Sequence, residues 1–215
     1  MASMLGHVLG AEAALGLASR MGPAALSTKR AMWLAGAVAI IPDLDNPLAI
    51  LLGHPAWLAH RGPSHSLLVF GVLAALAATF CIWGALKPDE NQVWGWLRAW
   101  LAFACVGLAH LTLDWLMRVG PEMRLLWPFA DRAFGNSPVQ LVPTAFYSTG
   151  SWGAFFGVLK DWQTWVGALL ELVSLLPLAL VAWGKAAGKL RWAMAGLSAA
   201  GALVTYLLYQ AARAI

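Results

Sequence analysis

Apolar runs long enough to cross a lipid bilayer recur along the whole chain, and this repetition restricts the fold more than any other feature. A span needs roughly 20 mostly apolar residues. Six such segments can be drawn, at about 4–19, 31–52, 64–86, 94–118, 162–184 and 190–214. Of the 215 residues, 60% are hydrophobic and only 11% are charged, whereas a soluble domain is about a quarter charged. Trp33, Trp57, Trp83, Trp94, Trp96, Trp115, Trp127, Trp162, Trp165, Trp183 and Trp192 lie near the ends of the runs. Indole rings favour that membrane–water boundary. The expectation is an all-α, polytopic transmembrane helix bundle of about five to six spans, folded as a single domain over 1–215.

The second segment cannot be one continuous span. It is interrupted by Ile41-Pro42-Asp43-Leu44-Asp45-Asn46-Pro47, and two prolines with two aspartates do not continue a lipid-facing helix. A break near Ile41 follows, with 47–58 as a short re-entrant or interfacial piece. The stretch 131–160 mixes Gly, Pro and aromatics and reads as an interfacial loop, with Trp152 to Leu159 dipping into the headgroup layer. Helices over about 162–214 close the chain.

Orientation follows from the basic residues. An outside N-terminus puts Arg20, Lys29, Arg30, Lys87, Arg98, Lys185, Lys189 and Arg191 in the cytoplasm. It leaves Arg61, Arg118, Arg124, Arg132, Lys160 and Arg213 on the other side. The N-terminus is therefore expected outside. The net charge of +4 suits loops beside anionic lipid and gives no basic patch for nucleic acid. Cys81 and Cys105 lie in apolar runs with no Cys-x-x-Cys spacing, and are expected to be buried apolar residues.

On that topology the polar residues converge. His7 begins segment 1, and Asp43 and Asp45 end segment 2. His60, Arg61, Ser64 and His65 open segment 3, and His110 and Asp114 lie near the end of segment 4. Alternating spans bring all of them to one membrane face, whichever side is outside. Each has an ordinary reading: a packing histidine, a helix-stabilising i,i+4 pair for His110 and Asp114, a helix cap for Asp43, Asp45, Ser64 or Ser66. Their joint occurrence does not. Ionisable groups at membrane depth cost about 2.5–3.5 kcal/mol each, and unrelated packing residues would be scattered. A shared metal site accounts for them together. Imidazole nitrogen and carboxylate oxygen suit Zn²⁺, Mn²⁺ or Fe²⁺ better than Ca²⁺ or Mg²⁺. There are more candidate ligands than one tetrahedral ion needs, so some orient the others or there are two ions.

His7, then Pro42-Asp43-Leu44-Asp45, then His60-Arg61-Gly62-x-Ser64-His65-Ser66, with His110-Leu-x-Leu-Asp114 and Leu126-Trp127-Pro128-Phe129, resembles the membrane-bound metal-dependent hydrolases. This is the inner-membrane family that includes a LexA-regulated bacterial member. The resemblance covers about residues 4–135, taken as the core that carries the metal site. It implies a bacterial or archaeal inner-membrane enzyme, and distant analogy to zinc-dependent phospholipase C suggests phosphoester hydrolysis. On this reading His7, Asp43, His65, His110 and Asp114 hold the metal, zinc first and manganese or iron otherwise, as one or two ions. Asp45 and His60 follow as ligands or general base, and Arg61 neutralises a phosphate oxyanion. A metal-activated water is the nucleophile, and the substrate is a phospholipid, polyprenyl phosphate ester or similar amphiphile. The site faces outside the cytoplasm.

The alternative is a non-enzymatic membrane metal-binding or metal-transport protein, although transport wants a polar path through the full bilayer and segments 3, 4 and 6 are apolar inside. Haem held by His65 and His110 would leave the aspartates unexplained. His-Glu-x-x-His and Gly-x-Ser-x-Gly are both absent. Two further acids stand apart. Glu12 lies about 140° round the helix from His7 and is not expected on the same metal. Glu171, in segment 5, is a candidate base, ligand or packing contact.

Overall fold

A computed structural model describes residues 3–55, 58–83, 91–116, 121–135, 151–184 and 188–213. Among these the chain is helical with no β-strand, apart from one isolated bridge between Met123 and Phe134. The helices are α1 (Met4–Ala18), α2 (Lys29–Ile40), α3 (Asp45–Leu51), α4 (Leu67–Ile82), α5 (Gln92–Leu116), α6 (Trp152–Gly157), α7 (Trp162–Ala182) and α8 (Gly188–Arg213).

Helix starts follow the cap chemistry of the sequence. The hydroxyls of Ser3, Thr28, Ser66 and Ser151 accept from the backbone N–H groups of Gly6, Ala31, Val69 and Ala154, and the Asp161 carboxylate accepts from Gln163. Such a cap is worth about 1 kcal/mol, because it satisfies an N–H the helix cannot. Ser66 is thus the cap of α4, and Ser64 is released for another role. Between α2 and α3 the Pro-Asp-Leu-Asp segment tightens into a 3-10 turn, Ile41–Leu44, so the second segment is broken where expected.

Helix α1 lies at the centre, packed on α2, α5 and α7, while α4 runs along α5 and α8 along α7. Antiparallel α4 and α5 are joined by indole hydrogen bonds, Trp96 Nε1 to Thr79 Oγ1 at 2.9 Å and Trp100 Nε1 to the Gly71 carbonyl at 3.1 Å. In contrast α1 and α7 run parallel. Ser3 meets Glu171 at one end, and Arg20 donates to the Val181 and Ala182 carbonyls at the other. Parallel α1 and α7 agree with alternating spans, in which the first and fifth segments share a direction.

Among the described residues, three helical stretches are long and apolar enough to cross a membrane: Lys29–Leu51, Gln92–Leu116 and Trp162–Ala182. Helices α1 and α4 are apolar but have 15 and 16 residues, about 23–24 Å at 1.5 Å per residue, short of a hydrocarbon core of about 30 Å. The expected count of five to six spans therefore reduces to three that length and composition support. The long interfacial loop is described at 131–135 and 151–160, where α6 exposes Trp152 and Phe156. Residues 136–150, Trp57, Lys87, Arg118 and Lys185 lie outside the described residues. Cys81 is buried as expected, but Cys105 is exposed. It sits on the outer side of α5, where an apolar surface faces lipid and burial in protein is not required.

Candidate metal centre

Four elements deliver the cluster. His7 comes from the second turn of α1, and Asp43 from the 3-10 turn. His65 ends the 3-10 turn Pro63–His65 just before α4, and His110 and Asp114 share one face of α5. All five are at most 2% exposed. His7 Nε2 lies 3.6 Å from Asp43 Oδ2 and 3.5 Å from Asp114 Oδ1. His65 Nε2 lies 3.3 Å from Asp43 Oδ1 and 3.3 Å from Asp114 Oδ2. His110 Nε2 stands 3.9 and 3.8 Å from those same two oxygens. The His7 and His110 rings stack with centroids 3.9 Å apart.

The Nε2 atoms of His7, His65 and His110 and both carboxylate oxygens of Asp43 and Asp114 are buried without a hydrogen-bond partner. Leaving one such group unsatisfied costs about 1–3 kcal/mol, and here seven converge on one spot, of which Asp114 Oδ1 is ion-paired to Arg61 at 3.1 Å. Donors 2.0–2.2 Å from a common ion at tetrahedral angles stand about 3.3–3.6 Å apart, the spacing of the His7 and His65 contacts. The donor set therefore fits a divalent transition metal, and the cluster could hold one. The two carboxylates demand positive charge between them.

The family described as YdjM inner membrane protein matches residues 1–213. The chain belongs to that family. It is an inner-membrane protein, as the resemblance implied, and the match spans the chain rather than its first 135 residues. No curated protein and no solved structure matches it.

Within this YdjM-family chain, the remaining site residues hold the cluster in shape. His110 Nδ1 is 2.8 Å from the Ala39 carbonyl. A carbonyl can only accept, so Nδ1 carries the proton and Nε2 turns a lone pair inward. Ser64 Oγ donates to Asp45 Oδ2 at 2.6 Å and lies 2.9 Å from His65 Nδ1. Asp45 Oδ1 lies 2.9 Å from His60 Nδ1, which is also 3.0 Å from Asn46 Nδ2. Asp45 thus faces His60 and Ser64, behind the histidines, rather than the centre of the cluster. Ser64 and Asn46 enter as linkers. Ser64 already stood among the polar residues that open segment 3, whereas the position of Asn46 beside Asp45 was its only sequence signal.

Arg61 is placed differently from the expectation of an arginine presented to substrate. It is fully buried. Its Nη2 lies 3.1 Å from Asp114 Oδ1 and donates to the Asp114 carbonyl at 3.0 Å, and Nη1 donates to the Pro121 carbonyl at 3.3 Å. The guanidinium fixes Asp114. Its backbone turns through φ 59°, a region that costs a side-chain-bearing residue about 1–2 kcal/mol. A Cβ on the following Gly62 would stand 2.6 Å from the Ala59 carbonyl oxygen. The turn requires Gly62, and Arg61 holds its left-handed backbone against that cost.

Glu12 and Glu171 are outside the cluster. Trp183 Nε1 donates to Glu12 Oε2 at 3.0 Å, which ties α1 to the end of α7. Glu171 instead holds Ser3 at the start of α1.

Proposed function

We propose that this protein is an integral-membrane metal-dependent hydrolase that cleaves a phosphoester of a lipid or other amphiphile. The observation that carries the reading is the convergence of three imidazole nitrogens and two carboxylates, buried and without hydrogen-bond partners, inside an apolar helix bundle. A divalent ion bound there supplies Lewis-acid polarisation of a phosphoryl oxygen and a water of lowered pKa. The chain's own residues orient the ligands: Ala39 for His110, Ser64 and Asp45 for His65, and Arg61 for Asp114.

Depth favours an amphiphilic substrate. Glu171, level with the start of α1, is nine residues into α7, or about 14 Å along it. The cluster, one turn further along α1, is therefore recessed beneath the level where Trp162 and Trp165 begin α7. Beside it runs a groove of about 580 Å³, lined by Leu67, Leu125, Leu126 and Phe134 with Arg132 among them. Leu67 follows His65 by two residues, and its N–H bonds the Leu125 carbonyl at 2.9 Å. An acyl or prenyl chain suits such a wall, and an anionic headgroup suits the arginine.

The test is hydrolysis of phospholipid and polyprenyl phosphate esters by the purified protein with and without chelator, beside His65→Ala and Asp114→Ala. Zinc-, manganese- or iron-dependent turnover lost in both variants is expected. Turnover indifferent to chelator and to both substitutions would refute it, and metal retention without turnover would favour the binding or transport alternative. The N-out orientation places the site outside the cytoplasm. In a Cys105→Ser background, Lys189→Cys should resist impermeant thiol reagents in intact cells, and its labelling from outside would reverse the topology.

A further inference from the structure

We infer that the cluster is a two-ion centre, with the carboxylates of Asp43 and Asp114 bridging the pair. This rests on the metal-centre reading above and specifies its stoichiometry.

The candidate ligands fall into two groups, each with its donor atoms within 4.8 Å of one another: His7, His110, Asp43 and Asp114 in one, and His60, His65, Asp43 and Asp114 in the other. Only the two aspartates belong to both. Between His7 and His65 their oxygens are divided. Asp43 turns Oδ2 to His7 and Oδ1 to His65, and Asp114 turns Oδ1 to His7 and Oδ2 to His65. A carboxylate that bridges two ions presents one oxygen to each, and both aspartates do so in the same sense. All four contacts are 3.3–3.6 Å, as expected for donors sharing one ion on each side. His110 Nε2 lies 3.8–3.9 Å from the two oxygens turned to His65, while its ring stacks on His7, with which it shares the first group.

The two sites differ in access. His7 and His110 are fully enclosed, whereas His60 is partly exposed, with 11% of its side chain reachable. His60 Nδ1 against Asp45 is the arrangement that orients a metal-ligating imidazole. The enclosed ion is then a resident of the fold and the His60–His65 ion is the one that meets substrate. Two divalent ions with Arg61 exceed the charge of Asp43, Asp45 and Asp114, and an anionic phosphoester would offset that excess. Ion pairs about 3.5–4 Å apart clamp both the attacking and the leaving oxygens of an in-line displacement at phosphorus.

The deciding experiment is metal titration of the full-length detergent-purified protein, with Zn²⁺ for stoichiometry and Mn²⁺ for electron paramagnetic resonance. Two equivalents and an exchange-coupled manganese spectrum are expected. His60→Gln should keep one equivalent and lose the coupling. His110→Gln should do the same, and Asp114→Asn should lose tight binding of both. Circular dichroism and gel filtration identify any variant that has failed to fold, and the wild-type spectrum decides without the variants. One saturating equivalent with an uncoupled signal overturns the pair but leaves a mononuclear centre. No bound metal overturns the metal reading itself.

Discussion

Ser3 and Glu171 join the two parallel helices at the level of the metal cluster. The Ser3 N–H donates to Glu171 Oε1 at 2.8 Å, and the Ser3 hydroxyl reaches Glu171 Oε2 while accepting from the Gly6 N–H to cap α1. His7 follows one turn later, so a carboxylate in α7 sets the origin of the helix that delivers a ligand. Glu171→Ala leaves the half-buried Ser3 donors without their acceptor, and a charge-assisted bond of this kind is worth about 1.5–3 kcal/mol. We expect a lower unfolding midpoint in detergent and weaker zinc binding in Glu171→Ala, with a smaller loss in Glu171→Gln, whose amide oxygen still accepts. Wild-type stability in Glu171→Ala would show that the clamp contributes nothing.

Ser64 hydrogen-bonds both Asp45 and His65, whose Oδ2 and Nδ1 also stand 3.5 Å apart. Groups of this kind, one step behind a ligand, cost about 10–100-fold in metal affinity when removed. Ser64→Ala should weaken zinc binding by that factor in a chelator competition titration, with the helical circular dichroism of the wild type. An unchanged affinity would mean that His65 is held by Asp45 directly or by packing, without Ser64.

Much of this site was legible in the sequence, because alternation of spans brings residues near consecutive segment ends to one face. That logic places His7, Asp43, His65, His110 and Asp114 on the same side, and the structure buries all five together. It is silent on which groups face inward. Asp43 and Asp45 are two residues apart, yet a 3-10 turn sends one to the centre and the other to His60. Arg61 resembles a surface arginine beside a loop. Its burial depends on a left-handed backbone and on Asp114, 53 residues away. Cys105 is as apolar in context as Cys81, but only packing distinguishes a lipid-facing position from an interior one. The span count is confirmed only in part for a related reason: among the described residues three stretches have the length and hydropathy to cross, while α1 and α4 are apolar throughout but shorter.

Removing Arg61 should be costly in a metal-dependent way. Breaking a buried ion pair from one side costs about 3–5 kcal/mol, because the remaining charge is left uncompensated. Arg61→Ala leaves Asp114 in that state, with two backbone carbonyls also losing their donor. A divalent ion on Asp114 would replace part of the missing charge. Thermal unfolding of Arg61→Ala should therefore fall most in chelator and recover partly on adding zinc, by more than wild type gains. Equal destabilisation in both conditions would mean that Asp114 and the metal do not meet.

Gly107 tests the packing beneath the ligands. A Cβ there would stand 2.6 Å from Phe70 Cδ1 and 3.0 Å from its Cγ, so the ring itself, rather than a flexible chain end, would have to move. Phe70 lies 5.2 Å from His110, centroid to centroid, and any displacement reaches the cluster. Overpacking of this kind costs about 1–3 kcal/mol. Gly107→Ala should lower both the unfolding midpoint and zinc affinity. Gly36→Ala in α2, where an added Cβ has nothing within 4 Å, should be neutral or slightly stabilising. Phe70→Leu combined with Gly107→Ala makes room for the methyl group, and should recover part of the zinc affinity that Gly107→Ala alone loses. If the double variant binds zinc no better than the single one, the contact between α4 and α5 does not set the position of His110.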